Sequence, residues 1–224
     1  EYIFNLIDTP GFLEFVGEVL TGLRVAGSAV ITVDAKSGIQ VGTELAWENT
    51  SAAGSPRAFF VNKCDDPEAN FQKVLSSLIE TFGQSVFPIV VTAATPGAFI
   101  KLFDLKKYVY DAKGGHTVGE IHTDYMPTVE KYREQLFEAI ATTDEALMEK
   151  YFNGEEITKE EANEAVHKGV SDGSIVPVFS GAATKLWGVD TLVEIIADAF
   201  PNPISKGSER VIVDGKEEKK AIRT

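Results

Sequence analysis

From its first residue the sequence alternates short apolar runs with stretches of helical periodicity, and that rhythm restricts the fold to an α/β sheet whose parallel strands are joined by crossover helices. Tyr2 to Ile7 reads as a buried strand. A helix follows from Gly11 through Ala26, with Phe12, Phe15, Val16, Val19, Leu20 and Leu23 at helical spacing. Ser28 to Val33 is the next strand, Gln40 to Ala53 a second helix, and Arg57 to Val61 a third strand. Pro67 to Phe82 is a third helix carrying Phe71, Val74, Leu75 and Leu78 on its packed side.

After Gly83 the rhythm changes. Val86 to Ala93, Ala98 to Asp111 and Thr117 to His122 read as strands, joined by turns at Thr95-Pro96-Gly97 and Lys113-Gly114-Gly115. Pro127 to Phe152 reads as one long amphipathic helix and Thr158 to Lys168 as a short one, opened by the capping box Thr158-Lys159-Glu160-Glu161. The first rhythm then returns, with a strand from Ile175 to Phe179 and a helix from Gly188 to Phe200 closed by Pro201-Asn202-Pro203. The expected architecture is a parallel α/β sheet, with core residues 1–84 and 173–203, interrupted by an inserted α+β subdomain at 85–172. Residues 204–224 read as a solvated linker.

At 224 residues, with 44% apolar and 25% charged, the chain can bury a substantial core, and no apolar run approaches the roughly 20 residues that span a bilayer. The start, Glu1-Tyr2-Ile3-Phe4-Asn5-Leu6-Ile7, has neither the basic region nor the cleavage site of a signal peptide, and reads as a strand entered in mid-protein. Its single cysteine, Cys64, has no internal disulfide partner, which suits a reducing cytoplasm. A net charge of −13 argues against direct nucleic-acid binding, which depends on clustered Lys and Arg. The tail residues Lys206, Arg210, Lys216, Lys219, Lys220 and Arg223 are diluted by Glu209, Asp214, Glu217 and Glu218.

Three short signatures fall at the carboxyl ends of predicted parallel strands, the edge where open α/β sheets bind ligands. They are Asp8-Thr9-Pro10-Gly11, Asn62-Lys63-Cys64-Asp65 and Ser180-Gly181-Ala182. A guanine presents N1–H and an exocyclic amine on one edge, and a carboxylate such as Asp65 can accept from both; adenine lacks that pair. Asn62 would tie the loop and meet the other edge of the base. Lys63 would lay its methylene stem along the base plane, and backbone N–H groups around Ser180, Gly181 and Ala182 would face the base oxygen. Asp8 would organise a magnesium ion through water, and the Gly11 N–H would meet a terminal phosphate. A lone D-x-x-G is weak, whereas N-K-x-D arises by chance in roughly 3% of chains this long. No G-x-x-x-x-G-K-[ST] phosphate loop occurs in the sequence.

These signatures, with Ile7-Asp8-Thr9-Pro10-Gly11, Asp34-Ala35-Lys36-Ser37-Gly38-Ile39-Gln40, Val178-Phe179-Ser180-Gly181-Ala182 and Glu145-Ala146-Leu147-Met148-Glu149-Lys150-Tyr151-Phe152, resemble bacterial elongation factor G and its paralogues over nearly the whole chain, Glu1 to about Pro203. The resemblance implies a P-loop NTPase-like GTPase sheet, N-terminally truncated, in a cytoplasmic translational GTPase. Its cofactors would be GTP/GDP and Mg, and its cycle would drive a ribosomal step such as translocation. The inserted subdomain would face the ribosomal stalk protein, and the tail would lead to a β-barrel domain. Asp8 and Gly11 would serve magnesium and the terminal phosphate, and Asn62, Lys63, Asp65 and Ser180 would select guanine. Two departures qualify this. The family has a water-orienting His immediately after D-T-P-G, where this chain has Phe12. The phosphate loop and first switch are also missing, so the piece alone should bind nucleotide poorly and not turn it over.

The alternative, from a different class, is a non-hydrolysing paralogue acting as a protein-interaction or regulatory module through the acidic helices of the insert. His116, His122 and His167 are scattered and read as surface or structural residues. The aromatic residues Phe99, Phe103, Tyr108 and Tyr110 read as the core of the inserted subdomain.

Overall fold

The computed structural model describes residues 2–222, with the side chains of Ser205, Lys206, Glu209 and Arg210 left out of the description; Arg223 lies outside it, as do the side chains of Lys206 and Arg210 from the diluted basic tail. The chain begins with an extended, exposed segment, a single turn at Leu13–Phe15 and helix α1 (Val16–Val25). Strand β1 (Ala29–Asp34), helix α2 (Val41–Ala52), strand β2 (Arg57–Asn62), helix α3 (Phe71–Phe82) and strand β3 (Val86–Pro88) follow. Strands β4 (Val90–Thr92), β5 (Ala98–Lys101), β6 (Lys106–Tyr110) and β7 (His116–Gly119) come next. Helices α4 (Met126–Ala141), α5 (Glu145–Asn153) and α6 (Lys159–Asp172) precede strand β8 (Val176–Ser180) and helix α7 (Val189–Ala199). The hairpin β9 (Ser208–Val213) and β10 (Lys216–Ala221) ends the chain.

Two sheets carry the fold. The first has the order β1-β2-β8-β3 and is parallel throughout. Its inner strands have apolar centres because helices cover them: Phe59, Val61 and Val178 are fully buried and Phe179 is 1% exposed. Trp47 of α2 stacks on Phe59 at 5.7 Å, Phe82 of α3 lies 5.3 Å from the same ring, and the Arg57 guanidinium sits 3.8 Å above Trp47. Helix α3 contributes Phe71, Val74, Leu75 and Leu78 to this layer and starts at Asn70, whose side chain accepts from the Lys73 N–H. That start falls later than the expected Pro67 because Asp66 accepts from the Glu68 N–H and turns the backbone first.

The second sheet, β4-β5-β6-β7, is antiparallel and lies between β3 and β8 in the sequence, so the first sheet is interrupted by a block of different architecture. The expected strand Val86 to Ala93 divides between the two sheets at Ile89. The Ile89 N–H donates to Val178 O at 3.0 Å in one sheet, and its carbonyl accepts from the Leu102 N–H at 3.0 Å in the other. Ala98 to Asp111 folds back on itself as β5 and β6, with Leu105 at φ 50° in the turn. Phe99 and Tyr110 are buried in this block, and Phe103 and Tyr108 pack against its core, so the aromatic set is core.

Three further expectations are corrected. Tyr2 to Ile7 is not a buried strand: it pairs with no strand among the described residues, and Tyr2, Ile3 and Leu6 are 67%, 89% and 89% exposed. An extended run becomes a strand only when a neighbour takes its N–H and C=O groups, and this one has none. The long helix from Pro127 to Phe152 is two, because the Thr142 and Thr143 hydroxyls bond back to Ala139 O and Ile140 O while the Asp144 carboxylate caps α5 through the Ala146 N–H. The solvated linker contains a β-hairpin with a two-residue turn at Asp214 and Gly215, both at positive φ, a strong Asp-Gly hairpin signal that its flanking charges obscured.

Candidate functional site

The parallel register sets Asp34 at the end of β1 beside Asn62 at the end of β2, with Val61 beside Ser180 at the end of β8. Carboxyl ends of adjacent strands therefore converge on one edge, and the backbone then laces two loops together across it. The Asn62 carbonyl oxygen Oδ1 accepts from the Lys63 N–H at 2.8 Å and from the Ala183 N–H at 2.9 Å. The Cys64 N–H donates to Gly181 O and the Gly181 N–H donates to Val61 O, both at 3.0 Å. Asn62 thus joins its own loop to the 180–183 loop through two hydrogen bonds, one of which spans 121 residues of sequence.

Lys63 takes a left-handed backbone conformation, φ 62°, which costs a non-glycine residue free energy and persists only where the surroundings fix it. Here its ammonium is 2.8 Å from Asp34 Oδ2, while Asp34 Oδ1 accepts from the Lys36 and Ser37 N–H groups. The hydrogen bond from Lys63, aided by the backbone donors, holds the Asp34 carboxyl at about 2. Lys63 remains 64% exposed along its side chain, so its stem is free to face a ligand while its end is tethered. Asp34 opens the run Asp34-Ala35-Lys36-Ser37-Gly38, and a strand-end Asp two residues before Lys-Ser-Gly is itself a signal for this kind of turn.

Asp65 pairs with Lys185, Nζ to Oδ2 at 3.2 Å, and its side chain is 21% exposed. Cys64 is a packing residue: burial pushes its thiol up to about 12, and Sγ donates to Val61 O at 3.3 Å.

The Ser180 side chain points inward. Its hydroxyl donates to Val90 O at 3.0 Å and the residue is 1% exposed, so any contribution of Ser180 to a ligand comes from its backbone. The backbone donors of Gly181, Ala182 and Ala183 bond to Val61 O, Trp187 O and Asn62 Oδ1 in this structure. Gly181 is required by space: a Cβ there would lie 2.5 Å from Trp187 O and 2.6 Å from the Phe60 ring.

Asp8, Gly11 and Phe12 lie in the exposed N-terminal segment, with Phe12 74% exposed. This segment runs along α1, where a Cβ on Gly22 would meet Thr9 at 2.9 Å, and passes α2, where a Cβ on Gly42 would meet Gly11 O at 3.5 Å. No hydrogen bond among the described residues joins it to the other two loops. Nor do the described residues contain a cluster of three His, Cys, Asp or Glu side chains able to hold a metal ion. His116 pairs with Asp190, His122 with Asp124, and His167 with the Ala199 carbonyl, all away from these loops. No helix among the described residues is long and apolar enough to cross a membrane. A concavity of about 410 Å³ lies elsewhere, between α4 and the turn after α5, and is lined by Arg133, Phe137 and Tyr151 with several glutamates. It contains none of the residues of the three strand-end signatures.

Residues 1–202 match the profile of the elongation factor Tu GTP binding domain. A crystal structure of a protein from Thermus thermophilus superposes with a TM-score of 0.82 at 35% identity, covering 89% of this chain and 30% of that one. The present chain therefore spans less than a third of the length of that relative. With its parallel sheet, its strand-end loops and this match over most of its length, the chain belongs to the elongation factor Tu GTP-binding domain family of translational GTPases.

Proposed function

We propose that this chain is the guanine-nucleotide part of a translational GTPase resembling elongation factor G, which binds GTP and GDP and couples hydrolysis to a ribosomal step such as translocation. The observation that carries this reading is the lacing of the Asn62 to Asp65 loop onto the 180–183 loop, which leaves the Asp65 carboxylate at the rim, paired among the described residues with Lys185. A carboxylate in that position accepts from both N–H-bearing groups of a guanine edge. Adenine offers no such pair, and the unpaired, desolvated acceptor that results disfavours it by about 1–3 kcal/mol or more.

In this reading Lys63 lines the base plane, and Gly181 and Ala182 supply backbone to the base oxygen once the loop opens its internal bonds. Asp8 and Gly11 serve the phosphate side, with Asp8 reaching magnesium through water. The described residues do not by themselves build a site for that ion, so no catalytic step is assigned to it. The inserted block, from β4 to α6, is the surface for the ribosomal stalk, the rest of the ribosome is engaged by the whole protein, and the setting is the cytoplasm. The terminal hairpin leads toward a β-barrel domain.

A second reading, a non-hydrolysing interaction or regulatory module, is favoured by Phe12, which places an exposed hydrocarbon ring where the family positions a water-orienting His. One experiment separates the two. The full-length protein is titrated with GDP and ADP in the presence of magnesium, and phosphate release from GTP is followed with and without ribosomes. Guanine-selective binding with ribosome-stimulated release supports the GTPase reading. Selective binding without release supports the non-hydrolysing paralogue, and equal or absent binding of both nucleotides overturns the guanine site.

A further inference from the structure

Lys185 ends the short turn Ala183–Lys185 that follows β8. Its ammonium lies 3.2 Å from Asp65 Oδ2 and 4.7 Å from the centre of the Trp187 ring, so it sits between the carboxylate and an aromatic face. Trp187 is fixed from several directions. Its backbone exchanges N–H···O bonds with Ala182 at 3.0 and 3.1 Å, and its indole N–H donates to Asp111 O at 2.8 Å. Its ring packs so closely on the start of β5 that a Cβ on Gly97 would meet it at 3.3 Å. The ring under Lys185 is thus held by the antiparallel block as well as by the loop after β8.

An aspartate at a loop rim can rotate about its last torsion, and rotation spoils simultaneous acceptance of two hydrogen bonds. A cation held on one oxygen limits that rotation without consuming it, because each carboxylate oxygen has two acceptor sites. We propose that Lys185, seated on Trp187, is a specificity-determining positioning residue that orients the Asp65 carboxylate for two-point recognition of a purine carrying both N1–H and a 2-amino group. The proposal rests on the guanine-nucleotide reading above and adds to it a residue outside the N-K-x-D and Ser-Gly-Ala signatures.

The discriminating ligand is inosine diphosphate, whose hypoxanthine base keeps N1–H and the base oxygen but lacks the 2-amino group. Dissociation constants for GDP and inosine diphosphate are measured on the full-length protein as wild type, Lys185→Met and Lys185→Arg. Lys185 is 46% exposed along its side chain, so both variants should fold, and the effect of the pair should be moderate. The expected result is a GDP-over-inosine preference about two- to fivefold smaller in Lys185→Met, with inosine diphosphate binding nearly unchanged and the preference restored in Lys185→Arg. An unchanged preference in Lys185→Met, or equal weakening toward both ligands, overturns the positioning role while leaving the guanine reading intact. A wild type that binds neither nucleotide overturns the guanine reading, and this proposal with it.

Discussion

The N-terminal segment and the loop region at the ends of β1, β2 and β8 have similarly apolar antecedents in sequence, yet one is open and the other locked. Ile3 and Leu6 are each 89% exposed, whereas Phe59 and Val61, in an equally apolar run, are fully buried. The difference is neighbours. Strand β2 has β1 on one side and β8 on the other, with α2 and α3 packed on its aromatic face, while residues 2–11 have no strand beside them among the described residues. Composition therefore makes a strand possible, and pairing makes it real. The loops that follow β2 and β8 inherit rigidity from the sheet. The D-T-P-G segment follows an unpaired run and takes its contacts from α1 and α2 instead.

The contrast is sharpest in stability. Replacing Phe59 with Ala removes a fully buried ring that contacts Trp47 and Phe82 and should cost about 3–5 kcal/mol in chemical denaturation. Gly181→Ala should cost about 1–3 kcal/mol, because the new methyl meets the Trp187 carbonyl and the Phe60 ring, and guanine binding should weaken with it. A Gly181→Ala protein as stable as wild type would mean the two loops are not braced as described.

A smaller effect comes from acid. Asp34 titrates at about 2 instead of 3.8, so its folded form is stabilised when ionised. That contribution is complete above about pH 4 and is lost as the pH falls toward 2. Because Lys63 is 64% exposed, the contribution should be at most about 1 kcal/mol, read as the part of the pH-dependent stability that Asp34→Asn removes. Last and smallest, Ile3→Ser should change stability by less than about 0.5 kcal/mol. A cost comparable to that of Phe59→Ala would show that the N-terminal run is buried after all.

The rhythm of apolar runs and helical periods carried β1, β2 and β8 of the parallel sheet, their helices and a change of architecture after α3 into view from sequence, because these depend on local patterning that packing then reinforces; Val86–Pro88, expected in the insert, pairs instead with β8 in the parallel sheet. The strand-end placement of Asn62 and Asp65 was legible for the same reason: they end and follow a strand whose pattern is unmistakable. What was not legible depends on partners. The failed strand at Tyr2 to Ile7 needed knowledge of its neighbour. The break at Thr142 to Asp144 needed side chains that compete with the helix backbone, a signal present in the sequence but outweighed by the apolar period on either side. The inward turn of Ser180 follows from Val90 O, which lies 90 residues away. Lys185 and Trp187 carry no motif at all, and the close approach of Gly97 and Asp111 to the loop after β8 reveals them.

If the locked loop region reads guanine through Asp65, exchanging the hydrogen-bonding pattern of that side chain should exchange the base it prefers. Xanthine carries a carbonyl where guanine has its 2-amino group, so an amide in place of the carboxylate should favour it by donating where Asp65 accepted. In the full-length protein, Asp65→Asn should lose GDP affinity by about 100-fold and gain affinity for xanthosine diphosphate, with unfolding midpoints little changed. An Asp65→Asn protein that binds GDP as the wild type does, with no gain for xanthosine diphosphate, would contradict the assignment.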